Sequence, residues 1–174
     1  MQEYLIVVDM QKDFIDGALG TAEAVAIVPR VAEKIRSFPG KVLFTRDTHE
    51  EDYLSTQEGR LLPVPHCIRG TEGWQLDKAL QPLCTDAPID KPVFGSVELG
   101  ERLREANKDE PVSRITLIGL CTDICVISNA MICRAFLPVA EIVVDAACCA
   151  GVTPESHATA LAAMKVCQMK VENE

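Results

Sequence analysis

Cys125 closes the run Thr122-Asp123-Ile124-Cys125, in which Thr122 and Asp123 are residue types that start helices. A cysteine placed there falls in the first turn of a helix, where unpaired amides and the helix dipole favour a thiolate. The other reading is a buried core cysteine. A nucleophilic thiol needs a base. Asp9, which ends the apolar run Tyr4-Leu-Ile-Val-Val8, either serves as that base or caps a turn. Asp47 and His49 stand two apart in an extended segment, so both side chains share one face, as two ligands of one ion must. His66 lies further along the same irregular segment, with Glu58 between. Two nitrogen and two oxygen donors suit zinc, manganese or iron(II). The plain alternative is a solvated acidic loop, which is how Glu50, Glu51 and Asp52 read. The third histidine, His157, is assigned to surface or packing.

These residues need elements to hold them. Tyr4 to Val8 is an apolar, largely β-branched run of the kind buried on both faces in a parallel sheet. Ala24 to Ser37 has helical spacing, and Pro39-Gly40 stops it. Lys41 to Thr45 reads as a second strand. Periodicity then disappears from Arg46 to Trp74, a stretch punctuated by Gly59, Pro63, Pro65, Gly70 and Gly73, and long irregular stretches in compact domains are usually functional. A short helix is expected over Leu76 to Leu83, an extended segment over Ile89 to Phe94 and a helix over Val97 to Asn107. The pattern continues with a strand over Arg114 to Gly119, a helix over Asp123 to Leu137 and a strand over Glu141 to Val144. A helix over Pro154 to Cys167 and a strand over Gln168 to Val171 complete it. Alternating strands and helices imply a parallel sheet covered on both faces, with ligands outside the carboxyl ends of the strands. Asp9, Asp47-Thr48-His49 and Leu120 to Cys125 all follow strand ends, so they converge.

The chain has 174 residues, 48% of them hydrophobic and 25% charged, which fits one domain spanning 1–174 and is too apolar for disorder. The net charge of -9 would repel a phosphate backbone, so nucleic acid is not an expected partner. No stretch of the length needed to cross a bilayer is free of charge, and Met1 to Tyr4 has no positive leader character, so no membrane association is expected. The eight cysteines form no CxxC pair, and most read as reduced, small, buried hydrophobes. Cytoplasmic location follows as an expectation.

Several stretches carry a resemblance: Val8-Asp-Met-Gln-Lys-Asp-Phe14, Arg46-Asp-Thr-His49, Pro65-His66 with Gly70-Thr71, the isolated Lys91, and Gly119-Leu-Cys-Thr-Asp-Ile-Cys-Val126. In this order they resemble the isochorismatase-like cysteine hydrolases, in particular the nicotinamidases, over nearly the whole chain. The resemblance implies a three-layer α/β/α sandwich with a mainly parallel central sheet, the Rossmann-like arrangement of that family. It makes Cys125 the nucleophile, Asp9 its base and Lys91 the third member of a triad. It also makes Asp47, His49 and His66 ligands of one divalent metal ion, zinc foremost, with manganese or iron as alternatives. Many relatives carry a further histidine where this chain has Ser55, and a smaller group uses a glutamate that Glu58 matches. A cis peptide at Leu120-Cys121 is implied, aiming the amides of Cys121 and Cys125 into an oxyanion hole. Phe14 and Phe94 are placed like pocket aromatics, whereas the aromatic often found three residues before the last metal histidine is Pro63 here; Trp74 is read as core.

True isochorismatases lack the cysteine at the position of Cys125, so amide chemistry is expected. The implied reaction is hydrolysis of nicotinamide to nicotinate and ammonia through a thioester, within NAD salvage. A related amidase acting on another small amide or carbamoyl compound is the second reading. The third is a non-catalytic metal or redox module using Cys121, Cys125 and Cys148-Cys149 as sensor thiols. Self-association into a homo-oligomer is implied by the resemblance alone.

Overall fold

The computed structural model describes residues 1–174. Six parallel strands form one sheet in the order β3-β2-β1-β4-β5-β6. They are β1 (Gln2–Val8), β2 (Lys41–Asp47), β3 (Ile89–Lys91), β4 (Val112–Leu120), β5 (Glu141–Ala150) and β6 (Lys170–Glu172). The longer helices are α2 (Ala22–Ser37), α4 (Val97–Asp109), α5 (Ile127–Phe136) and α6 (Pro154–Val166), and α1 (Lys12–Ile15) and α3 (Gln57–Leu61) are short. No helix is long and apolar enough to cross a membrane.

Strand alternation builds two cores. Leu5 and Val7 of β1, with Ile118 and Leu120 of β4, face Ala24, Ile27, Val31 and Ile35 of α2. Tyr4, Ile6 and Val8, with Ile115 and Leu117, face the other way onto Leu99 and Leu103 of α4, Ala130 and Cys133 of α5, and Leu161 and Met164 of α6. A sheet buried on both faces requires the continuous apolar strands the sequence shows. The result is the expected three-layer α/β/α sandwich.

The chain leaves β1 outward to β2 and β3, then returns to place β4 on the other side of β1. The crevice outside β1 and β4 is therefore the topological switch point, where ligands of such sheets bind. Gly119 makes this junction possible. Its φ is +116°, and a Cβ there would lie 2.2 Å from the Val8 carbonyl oxygen, so only glycine lets the end of β4 run this close to β1.

Four local expectations change. β5 runs on to Ala150 because Asp145, which reads as a strand end, is buried and paired: Lys34 Nζ lies 2.8 Å away and Asn173 Nδ2 donates to it at 3.0 Å. Leu76 to Leu83 is no regular helix. Leu76 bridges to Gln11, the Ala79 N–H donates to Asp77 Oδ1, and only Gln81–Leu83 forms a 3₁₀ turn, so Leu76 and Leu80 are buried by turns instead. The last strand starts at Lys170 because Gln168 turns with φ 64°. The helix expected from Asp123 begins as a π-helical turn, Thr122–Val126, before α5.

Candidate active site

β1 stops at Val8, and Asp9 follows with φ 47°, a left-handed conformation that a short polar side chain tolerates. Its carboxylate is fully buried. Oδ1 accepts a hydrogen bond from Thr45 Oγ1 at 2.7 Å, and Oδ2 pairs with Lys91 Nζ at 2.6 Å. Lys91 is 1% exposed at the end of β3, with its ammonium 3.5 Å from Cys125 Sγ, 3.5 Å from Asp47 Oδ1 and 3.2 Å from the Val93 carbonyl oxygen. Asp9, Lys91 and Cys125 thus come from three separate segments and meet in one place.

Burial sets the electrostatics. It pushes the Cys125 thiol well up, with Asp9 adding to the shift and Lys91 opposing it. It also raises Asp9 above the ordinary 3.8, against the pull of Lys91. For Lys91 burial works against the ammonium, but Asp9, then Cys125 and Asp47, together raise it. A cation among three acidic groups stays protonated, and one proton is left for the buried thiol and carboxylate to exchange.

Asp47, His49, Glu58 and His66 lie beside this group, their donor atoms within 4.8 Å of one another. His49 Nε2 is 2.8 Å from Asp47 Oδ2 and 3.6 Å from Glu58 Oε1; His66 Nε2 is 3.5 Å from Asp47 Oδ2 and 3.8 Å from Glu58 Oε1. Ligands of a tetrahedral ion with bonds of about 2.1 Å stand about 3.4 Å apart, so the four donors fit one ion. His66 Nδ1 donates to the Val64 carbonyl at 2.8 Å, which turns Nε2 toward the cluster, the usual second contact of a metal-binding histidine. Burial would raise Asp47, but hydrogen bonds from His49 and His66 and the charge of Lys91 hold it well below the usual carboxylate range. Burial, then Asp47, raises Glu58. Glu58 is presented by α3, whose N-cap Thr56 accepts from the Gly59 N–H. Tyr53 packs against both imidazoles at ring distances of 4.8 and 5.0 Å, and the imidazoles stand 4.9 Å from each other.

A cavity of about 680 Å³ opens onto both groups and is lined by Phe14, Phe94, Cys121, Cys125 and all four cluster residues, among others. The Phe14 ring lies 5.5 Å from that of His66. Cys121 lines the wall, its thiol pushed up to about 12 by burial and then by Asp123. The Leu120-Cys121 peptide is cis. Trp74 does not line the cavity: its ring stacks on the Arg46 guanidinium at 3.7 Å and its N–H donates to Thr48 Oγ1. His157 Nδ1 lies 2.7 Å from Thr122 Oγ1, bracing the π-helical turn.

Three buried polar residues that sequence reasoning did not single out hold this arrangement. Thr45 orients Asp9. Gln11 grips Asp47 through its backbone, Nε2 donating to the Asp47 carbonyl at 2.8 Å and Oε1 accepting the Asp47 N–H at 2.7 Å. Asn129 donates to the carbonyls of Cys125 at 2.8 Å and Phe94 at 3.1 Å, and accepts from the Ser96 N–H at 2.9 Å. The available signal was a polar residue where the helical spacing requires an apolar one: Asn129 sits four residues after Cys125 on the buried face of α5.

The isochorismatase domain model matches residues 3–172. The Bacillus subtilis (strain 168) isochorismatase family protein PncA is 34% identical over 178 aligned positions, which cover 92% of this chain and 93% of that protein. The crystal structure of the nicotinamidase/pyrazinamidase PncA from Bacillus subtilis superposes with a TM-score of 0.85 at 30% identity, covering 99% of this chain and 100% of that one. The pyrazinamidase of Pyrococcus horikoshii, solved in complex with zinc, gives 0.82 at 29% identity with full coverage of both chains. By the extent of these matches, which take in the strand ends and the cavity alike, this chain belongs to the isochorismatase family.

Proposed function

We propose that this chain is a nicotinamidase, hydrolysing the carboxamide of nicotinamide to nicotinate and ammonia through a thioester on Cys125. The observation that carries this reading is the 2.6 Å pairing of Asp9 with Lys91, whose ammonium is also 3.5 Å from Cys125 Sγ, at the inner end of a cavity shared with four metal-type donors. The Bacillus subtilis neighbour, a nicotinamidase/pyrazinamidase, supports the amide as the target.

Asp9 takes the thiol proton as Sγ attacks the carbonyl carbon. Lys91 stays charged throughout and offsets the negative charge that moves between sulfur and carboxylate. The C–S bond forms as the carbonyl electrons move onto oxygen, toward the N–H groups of Cys121 and Cys125. When the tetrahedral species collapses, the C–N bond breaks, Asp9 returns its proton to the leaving nitrogen, and ammonia departs. Asp9 then takes a proton from water, whose oxygen attacks the thioester; the C–S bond breaks, the acid is released and the thiol is restored. Asp47, His49, Glu58 and His66 would hold the divalent ion, with zinc favoured by the donor set and by the zinc complex of the Pyrococcus horikoshii neighbour. Held by these four residues, such an ion would supply Lewis-acid character beside the ring and so help to orient it. A nucleophile that must stay reduced fits the cytoplasm, and nicotinate is a substrate for NAD salvage.

The test is ammonia release from nicotinamide by metal-loaded protein, with and without a chelator, beside Cys125→Ala. Release should stop with the chelator and with the variant, while the variant keeps its metal. Release from Cys125→Ala at the unsubstituted rate removes the thiol from the reaction; no release from nicotinamide by the intact protein removes nicotinamide.

A further inference from the structure

Eleven large hydrophobic side chains stand exposed on this chain, and five of them, Leu61, Leu62, Val93, Phe94 and Val152, line the one cavity that contains Cys125. They come from three places: the end of α3, the segment after β3 and the segment after β5. Exposed apolar side chains scattered singly are ordinary, but a ring of them around one opening marks a surface that something covers. The opening is concave and continuous with the reactive thiol. Its charged and metal-type groups sit at the inner end, Asp47, His49 and His66 buried and Glu58 half-buried, and apart from Thr21, Thr56 and the exposed Gln57 the remaining lining toward solvent is mainly apolar. At about 680 Å³ the cavity falls in the range that encloses a drug-sized molecule, about 300–1,000 Å³, and far exceeds a single ring with its carboxamide.

We infer that the site takes an aromatic carboxamide whose ring carries an apolar substituent of several carbons. The inference rests on the amidase reading above. The carboxamide sits at Cys125, the ring beside Phe14, and the substituent among Leu61, Leu62, Val93, Phe94 and Val152. The chemical step is unchanged; what the substituent adds is binding remote from the reacting bond, which raises kcat/KM when it is retained in the transition state. Each methylene fully buried in such a mouth is worth about a fourfold gain.

Ammonia release by the metal-loaded enzyme is measured with nicotinamide and with nicotinamides bearing methyl, propyl or phenyl at ring carbon 5 or 6. A double variant, Leu61→Asn with Val152→Asn, is run beside the intact enzyme, both positions being exposed enough to accept a polar side chain without disturbing the core. In one of the two series kcat/KM should rise at least tenfold from nicotinamide to the propyl or phenyl compound, and the double variant should lose most of that gain. A gain that survives the double variant overturns the placement. If every substituted ring reacts more slowly than nicotinamide, the inference fails and the amidase reading stands; if no amide releases ammonia, both fail. A dimer that the double variant separates, with no gain along either series, makes the mouth an interface between copies and also overturns the inference.

Discussion

Gln11 holds Asp47 at both of its backbone polar groups, with hydrogen bonds of 2.8 and 2.7 Å from one side-chain amide, and a third at 2.9 Å ties that amide to the Trp74 carbonyl. The carboxylate of Asp47 faces both the metal-type donors and Lys91, so Gln11 sets the position of a residue shared by two parts of the site.

Replacing Gln11 by alanine should weaken metal binding at least tenfold, because outer contacts that orient a ligand typically carry that much affinity. Titration of the metal-free variant with zinc against a competing chelator measures it. Affinity equal to that of the unsubstituted protein would show that the strand alone places Asp47.

The raised Asp9 sets the acid limit of activity. The group must be ionised to accept the thiol proton, so activity is present above its pKa and is lost as pH falls through it. Burial moves that pKa above the ordinary 3.8, so the acid limb of kcat/KM should lie at higher pH than an exposed carboxylate gives. A pH profile of ammonia release checks this. A limb at or below the ordinary value would mean that the Lys91 charge outweighs burial.

Asn129→Leu keeps a similar volume and deletes three hydrogen bonds, stranding the Ser96 N–H and the carbonyls of Phe94 and Cys125. Stability should fall by about 2–3 kcal/mol, read by denaturant unfolding, and kcat should fall about tenfold as the thiol and the Phe94 wall lose their common tether. A loss of stability with kcat intact would make Asn129 a packing residue only.

Gly119→Ala should cost about 2 kcal/mol or more, since it combines a positive φ with a Cβ 2.2 Å from the Val8 carbonyl oxygen. Comparison of unfolding midpoints tests it. Val8 directly precedes Asp9, so turnover should drop more than stability alone explains.

Much of this was readable in advance because strands buried on both faces have to be apolar nearly throughout, and Tyr4 to Val8 of β1 and Ile115 to Leu120 of β4 are marked that way. Asp47 and His49 were legible as a pair because two residues apart on an extended chain share a face. Lys91 was not: a lone lysine reads as surface, and only pairing of a three-residue edge strand buries it, so the family resemblance was its sole signal. The full length of β5 was hidden because Asp145 is satisfied by Lys34 and Asn173, both distant in sequence. The roles of Gln11 and Thr45 rest on contacts 36 to 63 positions away, which no local pattern encodes, whereas Asn129 is marked locally only by its polarity on a buried helical face, its partners Ser96 and Phe94 lying 33 and 35 positions away.

The cation that balances the reactive sulfur is carried by the outermost strand on its side of the sheet, which pairs with β2 over only Ile89, Asp90 and Lys91. Margins of a fold fray at lower free energy than interiors do. On warming, catalysis should therefore fail by detachment of this fringe while spectroscopic signals of the central layers persist, and amide exchange at these three positions should report the event first.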